Sequence, residues 1–339
     1  MAHPDASGRK RDHLRIAAGP AVAHATGAGL GAVRLRHRAL PERDLADVEL
    51  GTDLLGRRLG APLVVSAMTG GVPEAQVVND RLAAAAVEHG VAMVLGSGRA
   101  LLDDPGLRRT YVGPRAAPRP PLLLANLGAA QLDDSGARAE RLVDLLGADG
   151  LSIHLNPIQE AIQPEGQPAF GRVAGRIAAA VGRLRPRPVV VKEVGFGLDP
   201  ADVALLRDAG AAAIDVAGAG GTNWALVEGR RDRRARNLAA AFADWGVPTT
   251  EALAAARGVA PDLPVIASGG LRDGVDAAKC LALGASAAGL ARVLLIAAQA
   301  DRAAAALGTL VAQLRIATWA AGAARAADLG PEHLQGPRA

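Results

Sequence analysis

Residues 264–292 read PVIASGGLRDGVDAAKCLALGASAAGLAR. The apolar run 264–267 stops at Ser268-Gly269-Gly270, a helical segment follows over 274–283, and a second small apolar run fills 287–291 before Arg292. Neither run alternates polar with apolar, so both predict strands buried on two faces, and strand, turn, helix and strand together form one parallel β/α unit. The same pattern recurs outward along the chain. Six more runs are found at 62–67 (PLVVSA), 91–96 (VAMVLG), 121–126 (PLLLAN), 151–155 (LSIHL), 188–193 (PVVVKE) and 213–216 (AIDV), with helical segments at 79–89, 201–208 and 250–257. Eight strand-helix units in one chain predict a closed (β/α)8 TIM barrel of the α/β class, rather than an open doubly wound sheet.

The barrel accounts for residues 61–329. Residues 1–60 carry no such repeat and are expected to form an N-terminal extension over the barrel rim, while 330–339 read as a frayed tail. A chain of 339 residues with 50% hydrophobic and 21% charged residues has the means for a large packed core. Its formal charge is only +4 and aromatics are 2%, which argues against nucleic acid as a partner. No stretch reaches about 18 to 20 uninterrupted apolar residues, so no membrane span or export signal is expected. Cys280 is the single cysteine, which excludes a disulfide framework or thiolate metal cluster and suits a cytoplasmic protein.

The residues after the strands carry the chemistry. Ser268-Gly269-Gly270 after the seventh strand and the small-residue turn before Arg292 after the eighth stand where many barrels hold a phosphate on backbone N–H groups. The plain alternative is that these glycines only make turns. GAGGT at 218–222 offers another anion nest but lacks the spacing of a dinucleotide fingerprint. Basic residues are almost all Arg, with Lys at positions 10, 192 and 279 only, so each Lys is a candidate for a site that needs a compact ammonium. Lys192 lies inside the apolar run VVVKEV and needs a partner, either Glu193 or a helix residue in an ion pair, or a cofactor at the barrel mouth. His154, Asn156, Gln159, Glu160 and Gln163 crowd one strand end and point to an oxyanion or diphosphate site. Glu160 has no second carboxylate at ligand spacing, yet a Mg²⁺ shared with substrate phosphates needs only one or two. Arg9 and Lys10, with His13, form either a solvated face or an arm that closes on an anionic substrate. Trp224, Trp245 and Trp319 are expected to pack, with pocket lining the alternative for Trp224 beside the 218–222 loop, and Cys280 reads as an inert buried thiol.

Eight segments taken in order resemble the type 2, flavin-dependent isopentenyl-diphosphate isomerases. They are RKRDHL from Arg9, SAMTGG from Ser66, GSGRA from Gly96, ANLGAAQL from Ala125, IHLNPIQEAIQPEG from Ile153, VKEVGFG from Val191, IDVAGAGGTNWALVEGRR from Ile214, and IASGGLRDGVDAAKCLALGA from Ile266. The resemblance implies an isomerase of isoprenoid biosynthesis that interconverts isopentenyl and dimethylallyl diphosphate by a 1,3-proton shift. It implies reduced FMN as acid and base, Mg²⁺, NADPH as reductant, and a homo-oligomer. It assigns FMN contacts to Ala67, Met68, Thr69, Ser97, Asn126, Lys192 and Thr222, and the FMN phosphate to Gly269, Gly270, Leu271, Ala291 and Arg292. It places Arg9, Lys10, Ser97, Arg99, His154, Asn156 and Gln159 around the substrate, with Glu160 on the metal. Lys192, Gln159 and His154 carry the catalytic roles.

Two positions depart from the family pattern. Gly98 replaces a Gln, and Ala217 replaces a Ser that contacts the flavin, so weaker FMN binding is expected by one hydrogen bond, about 1 kcal/mol. An FMN-dependent 2-hydroxy-acid oxidase is the main alternative, but it needs a His base, and residues 218–270 contain no His. A non-catalytic flavin-binding barrel is the third reading.

Overall fold

The computed structural model, which describes residues 6–113 and 118–336, starts with helix α1 (Ala6–Ala17) and a hairpin of β1 (Thr52–Leu54) and β2 (Arg57–Leu59). The barrel follows as β3 (Leu63–Val65), β4 (Ala92–Val94), β5 (Leu123–Gly128), β6 (Gly150–Leu155), β7 (Val189–Glu193), β8 (Ala213–Asp215), β9 (Val265–Ser268) and β10 (Ala287–Leu290). All eight are parallel, and β10 pairs with β3 to close the ring. The predicted (β/α)8 barrel is therefore present with each strand in its expected place. The outer layer includes α2 (Pro73–Glu88), α4 (Ala137–Leu146), α6 (Val173–Leu184), α7 (Pro200–Asp208), α10 (Thr249–Val259), α11 (Gly274–Ala282) and α13 (Ala303–Ala321). Short helices α3 (Arg99–Asp103), α5 (Pro157–Ile162), α8 (Trp224–Arg231) and α12 (Arg292–Gln299) contribute residues to the mouth, and α9 (Arg236–Ala240) packs on α8. Helix α2 starts at Pro73 rather than near 79, because proline at the first turn needs no N–H partner and presets φ.

Inside the barrel the side chains change character along the strands. At the N-terminal half, Val64, Ala92, Leu124, Val190, Ala213 and Ile266 belong to one apolar cluster. Two residues further along, on the same face, come Ser66, Asn126, Lys192, Asp215 and Ser268 on five of these six strands, while β4 continues apolar with Val94. The apolar half fills the barrel, and the polar half forms the floor of its mouth.

The extension does more than cover a rim. Helix α1 lies at the mouth, where Arg9, Lys10, His13, Leu14 and Ala17 face the cavity. The chain then follows the barrel wall: His24 N donates to Gly221 O, Thr250 N to Ala28 O, and Lys279 Nζ to Leu30 O at 2.8 Å. It ends in the β1–β2 hairpin, whose Leu54 and Leu59 join the apolar cluster inside the barrel and plug its opposite end. The hairpin turn has positive φ at Leu55 (51°) and Gly56 (74°), as a two-residue turn matched to strand twist requires.

Residues 330–336 are held in place rather than frayed. Leu334 bridges to Leu35, Arg36 N donates to His333 O, and Gln335 N to Arg34 O. Main-chain pairing with the extension supplies order that the polar composition conceals; the remainder of the expected tail, 337–339, lies outside the described residues. Helix α13, at 19 residues with a hydropathy of 1.2, is long and apolar enough by composition to cross a membrane. It packs on α2, α11 and α12 through a stripe that includes Leu307, Leu310 and Leu314. Cys280 is fully buried on α11, and burial pushes its thiol up to about 12.

Candidate active site

The C-terminal ends of the strands open into a cavity of about 560 Å³, and every site residue singled out from the sequence lines it. Ala67, Met68 and Thr69 follow β3, while Ser97 and Arg99 follow β4. Asn79 Nδ2 donates to Thr69 O at 3.1 Å and Tyr111 Oη to Ser97 O at 2.9 Å, so the first two turns are braced from behind. Asn126 and His154 rise from β5 and β6, and His154 Nδ1 lies 2.8 Å from Asn126 Oδ1. Burial, with Lys192 and Lys10 close by, pushes the His154 imidazole down to about 3, so the ring is neutral. Thr69 Oγ1 and Asn126 Nδ2 are both buried and have no hydrogen-bond partner among the described residues. A bound group that accepts and donates there would satisfy both.

Lys192 is 7% exposed and lines the same cavity. Its Nζ donates to the backbone carbonyl of Glu193, not to the Glu193 carboxylate. That carboxylate is occupied elsewhere, accepting from the amides of Val194, Gly195 and Phe196. Between the two sequence alternatives, the structure sends Lys192 to the mouth and leaves Glu193 to shape the turn after β7.

Thr222 follows β8, and Gly269, Gly270 and Leu271 follow β9. Gly269 and Gly270 have φ of 102° and 75°, and a Cβ on Gly269 would sit 2.1 Å from Gly218 O. Glycine is therefore obligatory in this turn. Ala291 and Arg292 start α12 beside it, where helical N–H groups lack internal partners. The Arg292 guanidinium donates to Ala18 O at 3.2 Å, tying the extension to the rim.

The cations line the same cavity. Arg9 and Lys10 reach down from α1 toward Arg99, and among the described residues none of the three has a carboxylate in an ion pair. Burial, then Arg9 and Arg99, lower the Lys10 ammonium to about 8. Arg9 Nε is buried and unpartnered. Glu228 and Glu165 act on this cluster by charge from outside direct ion-pair contact, and the remaining excess of cations favours a polyanion.

Asn156, Gln159 and Glu160 open α5 and are joined by hydrogen bonds. Asn156 Nδ2 donates to Gln159 Oε1 and to Glu160 Oε1, both at 3.1 Å, and leaves its own Oδ1 buried and unpartnered. Glu160 Oε2 accepts from Gln163 Nε2 at 2.8 Å and from Gln167 N at 2.6 Å. No group of three or more His, Cys, Asp or Glu residues able to hold a metal occurs among the described residues.

Sequence reasoning passed over Glu228. It is fully buried on α8 and accepts from His13 Nε2 at 2.8 Å and Gln159 Nε2 at 2.9 Å, while Arg231 pairs with its other oxygen. Burial alone would raise its pKa, but the donors from His13, Gln159 and Arg231 overcome that and hold it at about 2. Burial pushes His13 below its usual range, against the pull of the Glu228 carboxylate. The signal was an acid inside the buried run 227–229 of WALVEGRR. Trp224, on the same helix, lines the cavity and stands edge-on to His13 at 5.2 Å.

The model of the FMN-dependent dehydrogenase family matches residues 174–336. Among curated relatives, the isopentenyl-diphosphate delta-isomerase of Stutzerimonas stutzeri is 47% identical over 333 residues, covering 96% of each chain. That of Xanthobacter autotrophicus is 49% identical, again over 96% of both, and that of a Synechococcus is 50% identical over 86% of this chain and 84% of its own. Among solved structures, a mandelate oxidase mutant with benzaldehyde shares 24% identity at a TM-score of 0.65, covering 97% of this chain and 93% of its own. A flavocytochrome b2 variant shares 18% at 0.66, covering 95% and 82%. These two show the barrel fold alone.

Proposed function

The chain belongs to the isopentenyl-diphosphate delta-isomerase family, and from that premise we propose which of its residues serve each part of the reaction. The enzyme interconverts isopentenyl and dimethylallyl diphosphate and uses FMN. The double bond moves when one proton reaches the terminal alkene carbon and another leaves the allylic carbon on the diphosphate side.

The cavity fits a flavin mononucleotide. Thr69 Oγ1 and Asn126 Nδ2 need partners, Lys192 supplies a cation, and the glycine turn offers free amides. Ala67, Met68, Ser97 and Thr222 complete the contacts to the ring side, and Gly269, Gly270, Leu271, Ala291 and Arg292 take the phosphate. When bound, reduced FMN supplies the proton donor and acceptor with no net redox change. Lys192 contributes positive charge that stabilises an anionic ring. Arg9, Lys10, Arg99, Ser97, His154, Asn156 and Gln159 hold the diphosphate, and α1 keeps water from the reacting carbons. Gln159, anchored at both ends by Asn156 and Glu228, is oriented before substrate arrives. Glu160 fits Mg²⁺ as a single hard carboxylate beside the unpartnered Asn156 Oδ1, with substrate phosphates supplying further oxygens. In the same proposal NADPH would be the reductant of the flavin. The enzyme acts as a homo-oligomer, for which exposed Leu238 and Trp245 offer apolar contact.

One observation carries the assignment: Arg9, Lys10 and Arg99 converge, with no carboxylate in a direct ion pair among the described residues, on a cavity that a glycine turn also lines. Anaerobic incubation of isopentenyl diphosphate with the enzyme, reduced FMN and Mg²⁺, read by proton NMR, tests it. Dimethylallyl diphosphate is the expected product, and Arg99→Met should raise KM at least tenfold with FMN affinity unchanged. An unchanged KM would remove Arg99 from the substrate site.

A further inference from the structure

Asp215 has no part in the assignments above. It ends β8, is 3% exposed, and lies in register with Lys192 on β7. In-register residues of neighbouring parallel strands send their side chains to the same face, so the carboxylate stands inside the barrel next to the ammonium. Asp215 Oδ1 accepts from Ser268 Oγ at 2.6 Å and from Ala217 N at 3.2 Å. Ser268 immediately precedes the Gly269-Gly270 turn. Ala217 takes a left-handed φ of 36°, a conformation that costs a residue with a Cβ and needs local support. Gly218 N then donates to Ser268 O at 2.8 Å. One oxygen thus gathers the turn after β8 and the turn after β9, while the same carboxylate neighbours the Lys192 cation. Lys192 itself donates to a backbone carbonyl and forms no direct ion pair among the described residues.

We propose that Asp215 is a positioning residue: it tempers the charge that Lys192 presents to the flavin and, through Ser268 and Ala217, fixes the glycine turn that takes the flavin phosphate. The two effects separate. Burial raises the Asp215 carboxyl above the usual carboxylate range, against the pull of Lys192, the Ser268 hydroxyl and the Ala217 amide; in its charged form it opposes the preference of Lys192 for an anionic ring and so lowers the affinity for reduced relative to oxidised FMN. The hydrogen bonds hold the phosphate turn in both redox states alike. The proposal rests on the FMN reading above.

The test uses full-length protein reconstituted with FMN, comparing the parent with Asp215→Asn and Ser268→Ala. Asp215→Asn keeps the size and an acceptor oxygen but removes the charge. Its FMN dissociation constant should stay within threefold of the parent, while reduced FMN gains about tenfold over oxidised, an upward midpoint shift of about 30 mV for a two-electron couple. Ser268→Ala should weaken FMN five- to tenfold with the midpoint unmoved, and this mild change decides the case if Asp215→Asn does not fold. An unchanged midpoint in Asp215→Asn overturns the electrostatic half, and undiminished FMN affinity in Ser268→Ala overturns the bracing half. A parent protein that takes up no FMN overturns the flavin reading itself, and shows this before any variant is compared.

Discussion

Lys10 and Lys192 illustrate what a compact ammonium does at this mouth. Burial among Arg9 and Arg99 brings Lys10 to about 8, from a usual value of 10.5. The charged form must meet the diphosphate, so kcat/KM is flat below pH 8 and falls above it, while the kcat limb lies higher because bound diphosphate restores the proton. Lys10→Arg should move the kcat/KM limb above pH 9; a limb that stays at 8 assigns it to another group. Lys192→Met keeps an unbranched stem in the barrel and should fold, yet lose activity at least 100-fold, which steady-state assays and circular dichroism together check. Parental turnover in that variant would make Lys192 a structural residue. The α5 pair should differ in kind. Glu160→Gln removes charge and keeps shape, so the Mg²⁺ concentration for half-activation should rise at least tenfold with FMN affinity intact. Gln159→Leu removes one hydrogen bond from each of Asn156 and Glu228, so its defect should persist at saturating Mg²⁺. Identical Mg²⁺ curves for Glu160→Gln and the parent would return Glu160 to a purely structural role.

At the scale of elements, the extension carries two separate duties at opposite ends of the barrel. Helix α1 is held at the mouth by the His13 bond to Glu228, by Gln299 Nε2 donating to Leu14 O at 3.2 Å, and by Arg292 on Ala18 O. The hairpin closes the other end with Leu54 and Leu59, 2% and 1% exposed, where an open barrel would admit water to an apolar lumen. Leu54→Ala should therefore cost about 2–5 kcal/mol in urea unfolding, since a plug residue leaves a cavity when truncated. The mouth lies beyond the apolar layer, so FMN affinity should hold in the same variant. A coupled loss of both would show that the plug shapes the site as well as the stability.

Across the whole molecule, the Glu228 network ties the extension, α5 and α8 into one electrostatic unit. Glu228 titrates at about 2 in the folded protein against an ordinary 4.5, so its contribution is complete above pH 4.5 and is lost as pH falls toward 2. Glu228→Gln should lower stability at pH 7 by up to about 3 kcal/mol, and the gap to the parent should narrow by about half as urea titrations move from pH 5 to pH 3. A gap independent of pH would point to packing instead. The sequence by itself determined the barrel, because an unalternating apolar run ended by glycine or a polar residue is a local pattern that specifies a doubly buried strand and its turn. It also pointed to the strand-end residues at the mouth, since in a closed parallel barrel every residue just past a strand end meets the others, but left Arg9 and Lys10 open between a solvated face and an arm over the site. Even the scarcity of Lys was legible: Lys10 and Lys192 face the cavity, and Lys279 pins the extension at Leu30. Only the tertiary structure decided the partners. Nothing local in WALVEGRR tells that Glu228 meets His13, 215 positions away, or that Asp215 meets Ser268, 53 positions away. It also decided that the hairpin, with so little strand of its own, crosses to the far end of the barrel. Periodicity fixes which face of an element is buried, whereas the identity of what covers that face depends on chain closure over long separations, which no short window of sequence contains.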